Sequence, residues 1–108
     1  MNYSVLTIPP FDRQFKRLVK KYPSLRIELK ELITELKTEP TKGTSLGNDC
    51  YKIRLAIASK GKGKSGGARV ITYFAIAEAS IFLLPIYDKA QQSDIEDKAL
   101  LRLLDLTR

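Results

Sequence analysis

The feature that most constrains the fold is a strictly alternating segment that turns back on itself. Residues Cys50-Tyr51-Lys52-Ile53-Arg54-Leu55-Ala56-Ile57-Ala58 place Tyr51, Ile53, Leu55 and Ile57 on one face and Lys52 and Arg54 on the other. A period of two is the signature of a half-buried β-strand. The loop Ser59-Lys60-Gly61-Lys62-Gly63-Lys64-Ser65-Gly66-Gly67-Ala68 follows, and a second strand opens with Arg69-Val70-Ile71-Thr72-Tyr73-Phe74. Lys52, Arg54 and Arg69 thus ride on two adjacent strands, and neither strand contains an acid to neutralise them. Small residues at Ala56 and Ala58 leave room beside these cations, so the cluster reads as a site for a polyanion.

A chain of 108 residues supports one domain with a single core. No apolar run approaches the roughly 20 residues of a membrane span. The start, Met1-Asn2-Tyr3-Ser4-Val5-Leu6-Thr7-Ile8-Pro9-Pro10, lacks a basic leader and a cleavage pattern, so a cytoplasmic location is expected. The net charge of +7 favours an acidic partner, nucleic acid or acidic protein. Histidine is absent and Cys50 is the only cysteine, so neither an internal disulfide nor the usual zinc ligand set can be assembled. Acid–base chemistry would fall to Lys, Arg, Tyr or carboxylates, with no metal and no cofactor expected.

The rest of the chain supplies a frame for the hairpin. Tyr3 to Ile8 is a short β-rich segment stopped by Pro9-Pro10. Phe11, Phe15, Leu18, Val19 and Tyr22 recur at helical spacing, opposite Arg13, Lys16, Arg17, Lys20 and Lys21, a face read as solvated. After Pro23, Ser24 is placed to cap a second helix with Leu25, Leu29, Leu32, Ile33 and Leu36 as its stripe and Pro40 closing it. The short break predicts an antiparallel helical hairpin. Thr41 to Asp49 reads as a polar loop. Beyond the two strands and a tight Ala77-Glu78-Ala79 connection, Ser80-Ile81-Phe82-Leu83-Leu84-Pro85-Ile86-Tyr87 is apolar almost throughout, as in a strand covered on both faces. Ser93-Asp94-Ile95-Glu96 fits a capping box, starting a helix that turns Ile95, Ala99, Leu103 and Leu106 to one side. The order β-α-α-β-β-β-α predicts an α+β fold: an antiparallel three-stranded meander joined by the N-terminal strand, packed against the helical hairpin, with a C-terminal helix.

Gly63-Lys64-Ser65 superficially matches the end of a P-loop, but that motif needs a glycine where Ala58 stands and a helix where Arg69 to Phe74 reads as strand. What remains is a cationic loop in which Lys60, Lys62 and Lys64 are candidate RNA-binding residues. Tyr87 and Lys89 leave the apolar strand at its end, where the meander can bring them near the hairpin cations.

The layout, the Lys52-x-Arg54 pair, the phrase Gly61-Lys62-Gly63-Lys64-Ser65-Gly66-Gly67-Ala68-Arg69-Val70-Ile71 and the ending Ile86-Tyr87-Asp88-Lys89 together resemble the RelE/ParE toxin superfamily. Within it the chain is most similar to HigB-like, RelE-type toxins of type II toxin–antitoxin systems. The resemblance implies a ribosome-dependent mRNA endonuclease, in which a 2′-hydroxyl attacks the adjacent phosphate without a metal. It maps the basic strand residues onto Lys52 and Arg54, the strand-opening arginine onto Arg69 and the later basic residue onto Lys89. Tyr87 is the candidate substitute for a catalytic or base-stacking tyrosine. Several members place a histidine or a C-terminal tyrosine at the scissile phosphate, and this chain departs from them in having no histidine. Clustered cations suit this chemistry because they stabilise the charge that builds on a phosphorane. Crowding by like charge also eases deprotonation of an amine, which would cast Lys52 as general base, with Arg69 holding the phosphate and Lys89 serving the leaving oxygen.

The implied partners are mRNA, the ribosome and a cognate antitoxin, with no membrane. Two other readings share the fold or the charge: a ParE-like toxin that inhibits DNA gyrase without cutting RNA, and a nucleic-acid-binding domain without catalysis.

Overall fold

The computed structural model describes residues 2–60 and 66–107. The elements run β1 (Ser4–Thr7), α1 (Pro9–Lys21), α2 (Leu25–Leu36), β2 (Thr44–Gly47), β3 (Cys50–Leu55), β4 (Ala68–Ala75), β5 (Ser80–Asp88) and α3 (Asp97–Asp105). The sheet has five strands in the order β1-β5-β4-β3-β2, antiparallel throughout except for the β1/β5 pair. The fold is the α+β arrangement expected from the sequence, with one strand more.

That additional strand lies in the segment read as a polar loop. All four residues of β2 are exposed, so no apolar alternation marks it. Turn chemistry makes it instead: Asn48 and Asp49 both adopt positive φ, as a two-residue hairpin turn of the primed kind demands. Gly43, at φ +106°, lets β2 approach β3, because a Cβ there would stand 2.5 Å from the carbonyl oxygen of Lys52. Both sheet edges are four-residue strands, too short to template pairing with another chain efficiently.

The centre is β5. Eight of its nine residues are buried, as its unbroken apolar run predicts. Pro85 is accommodated by an irregularity: Val70 pairs with Ile86 but Thr72 pairs with Leu83, and β1 pairs only with residues up to Leu83. Just past it, the Ile86 amide donates to Gln14 Oε1 of α1 at 3.1 Å, so this amide is satisfied at the irregularity.

The helical hairpin forms as predicted. Phe11, Leu18 and Val19 of α1 and Leu25, Leu29, Leu32 and Leu36 of α2 are buried in one core with Ile53, Val70 and Ile86 of the sheet. Ser24 precedes α2 but its side chain caps no helix amide; its hydroxyl donates to Glu28 Oε1 at 3.1 Å and accepts from the Ser59 amide at 2.9 Å. The capping box at Ser93–Glu96 is likewise a correction. The helix starts at Asp97, no side-chain cap bond forms, and the Asp94 carboxylate accepts from the Ile95 amide instead. With the start displaced, Leu100 and Leu104 are the residues α3 buries, while Leu106 is exposed.

Candidate functional site

Strand register decides which side chains share a face. Arg54 pairs with Arg69 across β3/β4, and Arg69 pairs with Tyr87 across β4/β5. These three therefore form a row on one face, with Lys52 two residues along β3 on the same side. The adjacent row, Leu55–Ala68–Asp88, projects to the opposite face, where α1 and α2 pack. The sequence-predicted Lys52, Arg54, Arg69 and Tyr87 are thus brought together by three strands.

Their environments differ. Arg54 is exposed and Lys52 half-exposed. Arg69 and Tyr87 are each 5 % exposed. Arg69 Nη1 donates to the Ala68 carbonyl at 3.1 Å. Tyr87 faces a cavity of about 300 Å³ lined also by Gln14, Pro85, Gln92, Ile95 and Leu103, and its hydroxyl has no hydrogen-bond partner among the described residues. Burial, followed by the nearby Asp94 carboxylate, pushes the Tyr87 phenol up against the smaller opposing effect of Arg69. The phenol therefore keeps its proton at neutral pH and is available as a donor. Lys89 stands at the end of the same strand, its amide donating to the Gly67 carbonyl at 3.0 Å and its ammonium to the Ser93 carbonyl at 3.5 Å.

One acid does reach the cluster, from outside the two strands in which none was found. Asp94 Oδ1 lies 3.7 Å from Lys52 Nζ, with the two side chains 64 % and 26 % exposed. At that distance and exposure the pair is worth roughly 0–1 kcal/mol. It screens Lys52 without locking it.

Lys60 is a correction. Read as an RNA-binding residue, it instead turns to the helix side and forms an ion pair with Asp88 Oδ1, the two side chains 8 % and 1 % exposed. The alternation of β3 ends at Leu55, and a 3₁₀ turn over Ala58–Lys60 carries Lys60 away from the cationic row. Ala58 lies in this turn and so makes no room on the strand face. Lys62 and Lys64 lie outside the described residues.

Sequence reasoning missed Asp88, Tyr22 and Glu28. Asp88 accepts from Tyr22 Oη at 3.0 Å and from the Ala90 amide at 3.0 Å, and Glu28 Oε2 accepts from the Ala58 amide at 2.6 Å. A signal was present for the first: Asp88 is the one acid in an otherwise apolar strand. Gly67 matches its close quarters, since a Cβ there would fall 2.1 Å from the Leu55 carbonyl oxygen. Cys50, pushed up to about 11 by burial and then by Asp49, remains a buried thiol.

Comparison with known proteins agrees with this architecture. A double arginine-to-alanine variant of the E. coli toxin RelE in the free state superposes with a TM-score of 0.66 over 97 % of both chains at 17 % identity. Isolated E. coli RelE gives a TM-score of 0.57 at 21 % identity, covering 94 % of this chain and 98 % of that one. The intact E. coli RelBE toxin–antitoxin complex gives 0.54 at 19 % identity, over 80 % of this chain and 95 % of that one. Residues 11–107 match the family model for the RelE toxin of the RelE/RelB toxin–antitoxin system. The chain belongs to the RelE toxin family.

Proposed function

We propose that this protein is a ribosome-dependent mRNA endonuclease of a type II toxin–antitoxin system, inhibiting translation by metal-independent cleavage. The observation that carries the reading is the row Arg54–Arg69–Tyr87 with Lys52 beside it, cations and a phenol gathered from three strands onto one face. In the reaction the 2′-oxygen forms a bond to the adjacent phosphorus as the bond to the 5′-oxygen breaks, leaving a 2′,3′-cyclic phosphate and a 5′-hydroxyl. Lys52 takes the 2′-hydroxyl proton, and Lys89 supplies one to the departing oxygen. Arg54 and Arg69 stabilise the phosphorane, with charge concentrated where the transition state develops it. Tyr87, held protonated, donates to a phosphate oxygen or stacks on a base.

The burial of Arg69 and Tyr87 fits this scheme as an inner pair, with Lys52 and Arg54 as the outer pair that meets the backbone first. The natural partner is a cognate antitoxin whose acidic or amphipathic segment covers the cationic face. No helix among the described residues is long and apolar enough to cross a membrane, and a substrate on the ribosome places the protein in the cytoplasm.

The test is a reconstituted translation reaction with purified protein. Cuts within codons, dependent on the ribosome and ending in a 5′-hydroxyl, are the expected result. Failure of gyrase supercoiling without RNA cuts would replace this reading with the ParE-like one. RNA binding with neither effect would reduce the protein to a binding module.

A further inference from the structure

A charged pair stands on the far side of the sheet from the site. Asp88 is 2 % exposed, yet its carboxylate takes the Lys60 ammonium, the Tyr22 hydroxyl and the Ala90 amide. Its carbonyl oxygen accepts from the amides of Gln91 and Gln92, both at 3.0 Å. Lys60 Nζ also lies 5.6 Å from the centre of the Tyr22 ring, a cation–π distance. The turn that delivers Lys60 is itself pinned to the start of α2, by reciprocal bonds between Ser24 and Ser59 at 2.9 Å and by Glu28 on the Ala58 amide.

Such a pair is a costly way to gain stability. Desolvating two charges consumes most of their attraction, and a well-packed apolar pair often does as well or better. What a satisfied buried pair does provide is a fixed geometry. Here the geometry it fixes is that of the strand end: Asp88 sits between Tyr87 and Lys89 and pairs with Ala68, the residue before Arg69. The Lys89 amide is tied to Gly67 in turn. Three of the residues assigned to cleavage are therefore bonded neighbours of residues this network holds.

We propose that Asp88, through its ion pair with Lys60 and its hydrogen bond from Tyr22, is a positioning residue that sets the strand-end backbone carrying Tyr87 and Lys89 against Arg69. The proposal rests on the nuclease reading above and concerns the same site. Asp88 touches no reacting atom; it acts by holding the groups that do. Displacement of such groups by about 1 Å costs around a hundredfold in rate, so the signature is a loss of kcat at preserved KM.

The test compares single-turnover mRNA cleavage on programmed ribosomes by wild type, Asp88→Asn, Lys60→Met and Tyr22→Phe, with ribosome co-sedimentation and circular dichroism on each. Tyr22→Phe removes one hydroxyl and keeps the ion pair, so it stays decisive if the charge variants fold poorly. The expected result is a kcat lowered about a hundredfold in Asp88→Asn and several-fold in Tyr22→Phe, with unchanged KM and co-sedimentation. Lys60→Arg, which keeps the cation, restores most of the rate lost in Lys60→Met. Wild-type kcat in a folded Asp88→Asn or in Tyr22→Phe overturns the positioning role alone. A loss of rate no greater than the loss of folded protein overturns it too, by reducing the network to scaffold. A wild type that cuts nothing under these conditions overturns the nuclease reading, and the positioning role falls with it.

Discussion

Two adjacent rows of the same three strands have opposite characters. In Leu55–Ala68–Asp88 the charged member is buried and satisfied: Asp88 has Lys60, Tyr22 and Ala90, and water is excluded. In Arg54–Arg69–Tyr87 one guanidinium is exposed, and the Tyr87 hydroxyl has no hydrogen-bond partner among the described residues although it is buried. A one-residue step along each strand separates them, because successive side chains point to opposite faces. The contrast teaches that charge alone does not identify a functional cation in this chain. Lys60 and Arg54 are both basic and close in sequence, yet one completes a carboxylate while the other is presented to solvent.

The sharpest way to break this comparison is to delete the cation that pairs with Asp88 and, separately, the exposed cation of the other row. Lys60→Met leaves the Asp88 carboxylate buried beside fewer donors and should cost about 3–5 kcal/mol in equilibrium urea unfolding. Arg54→Met, at an exposed position, should stay within about 0.5 kcal/mol of wild type in the same titration. Equal losses would erase the distinction between the rows.

Acid should discriminate them next. Burial raises the Asp88 pKa, but Lys60, the Ala90 amide and the Tyr22 hydroxyl together outweigh it, so the net direction is downward. A carboxylate with a depressed folded pKa contributes stability that is present above its unfolded value of about 3.9 and is lost as pH falls through the folded value. The urea midpoint of wild type should therefore drop in that acid range. Asp88→Asn should show a shallower acid limb, and superimposable limbs would contradict the assignment.

Salt should report on the exposed row. For single-stranded RNA each neutralised phosphate contributes about −0.7 to the slope of log K against log salt. Arg54→Ala should flatten that slope by roughly one such increment, measured by filter binding, whereas Tyr22→Phe should leave it unchanged. The smallest effect belongs to Asp94→Asn. Removing the carboxylate 3.7 Å from Lys52 should tighten RNA binding by a few-fold at low salt, in line with a surface pair worth under about 1 kcal/mol.

Much of this arrangement was legible in the residues. The alternation of Tyr51 to Leu55 placed Lys52 and Arg54 on one face, and the unbroken apolar run after Ser80 marked β5 as a strand covered on both faces. What escaped depended on contacts between distant segments. Nothing local to Lys60 indicates that Asp88, 28 residues later, will take its charge, so loop composition suggested a ligand instead. Nor does a search of the two strands reveal Asp94, which arrives from the connector before α3. Strand β2 was missed for another reason. It buries nothing, so periodicity is silent there, and only the Gly47-Asn48-Asp49 turn chemistry announces the hairpin. Helix α3 begins at Asp97 without a side-chain cap, and the Asp94 carboxylate accepts from the Ile95 amide instead.

The central claim is that the cations of the Arg54–Arg69–Tyr87 row act on a phosphodiester in transit to its phosphorane. Single-turnover cleavage of a defined A-site codon by Lys52→Ala, Arg54→Ala and Arg69→Ala tests it most directly. The account predicts that each loses about a hundredfold or more in rate at near-normal ribosome affinity, as removal of one transition-state donor does elsewhere. Wild-type rates in all three variants would contradict it.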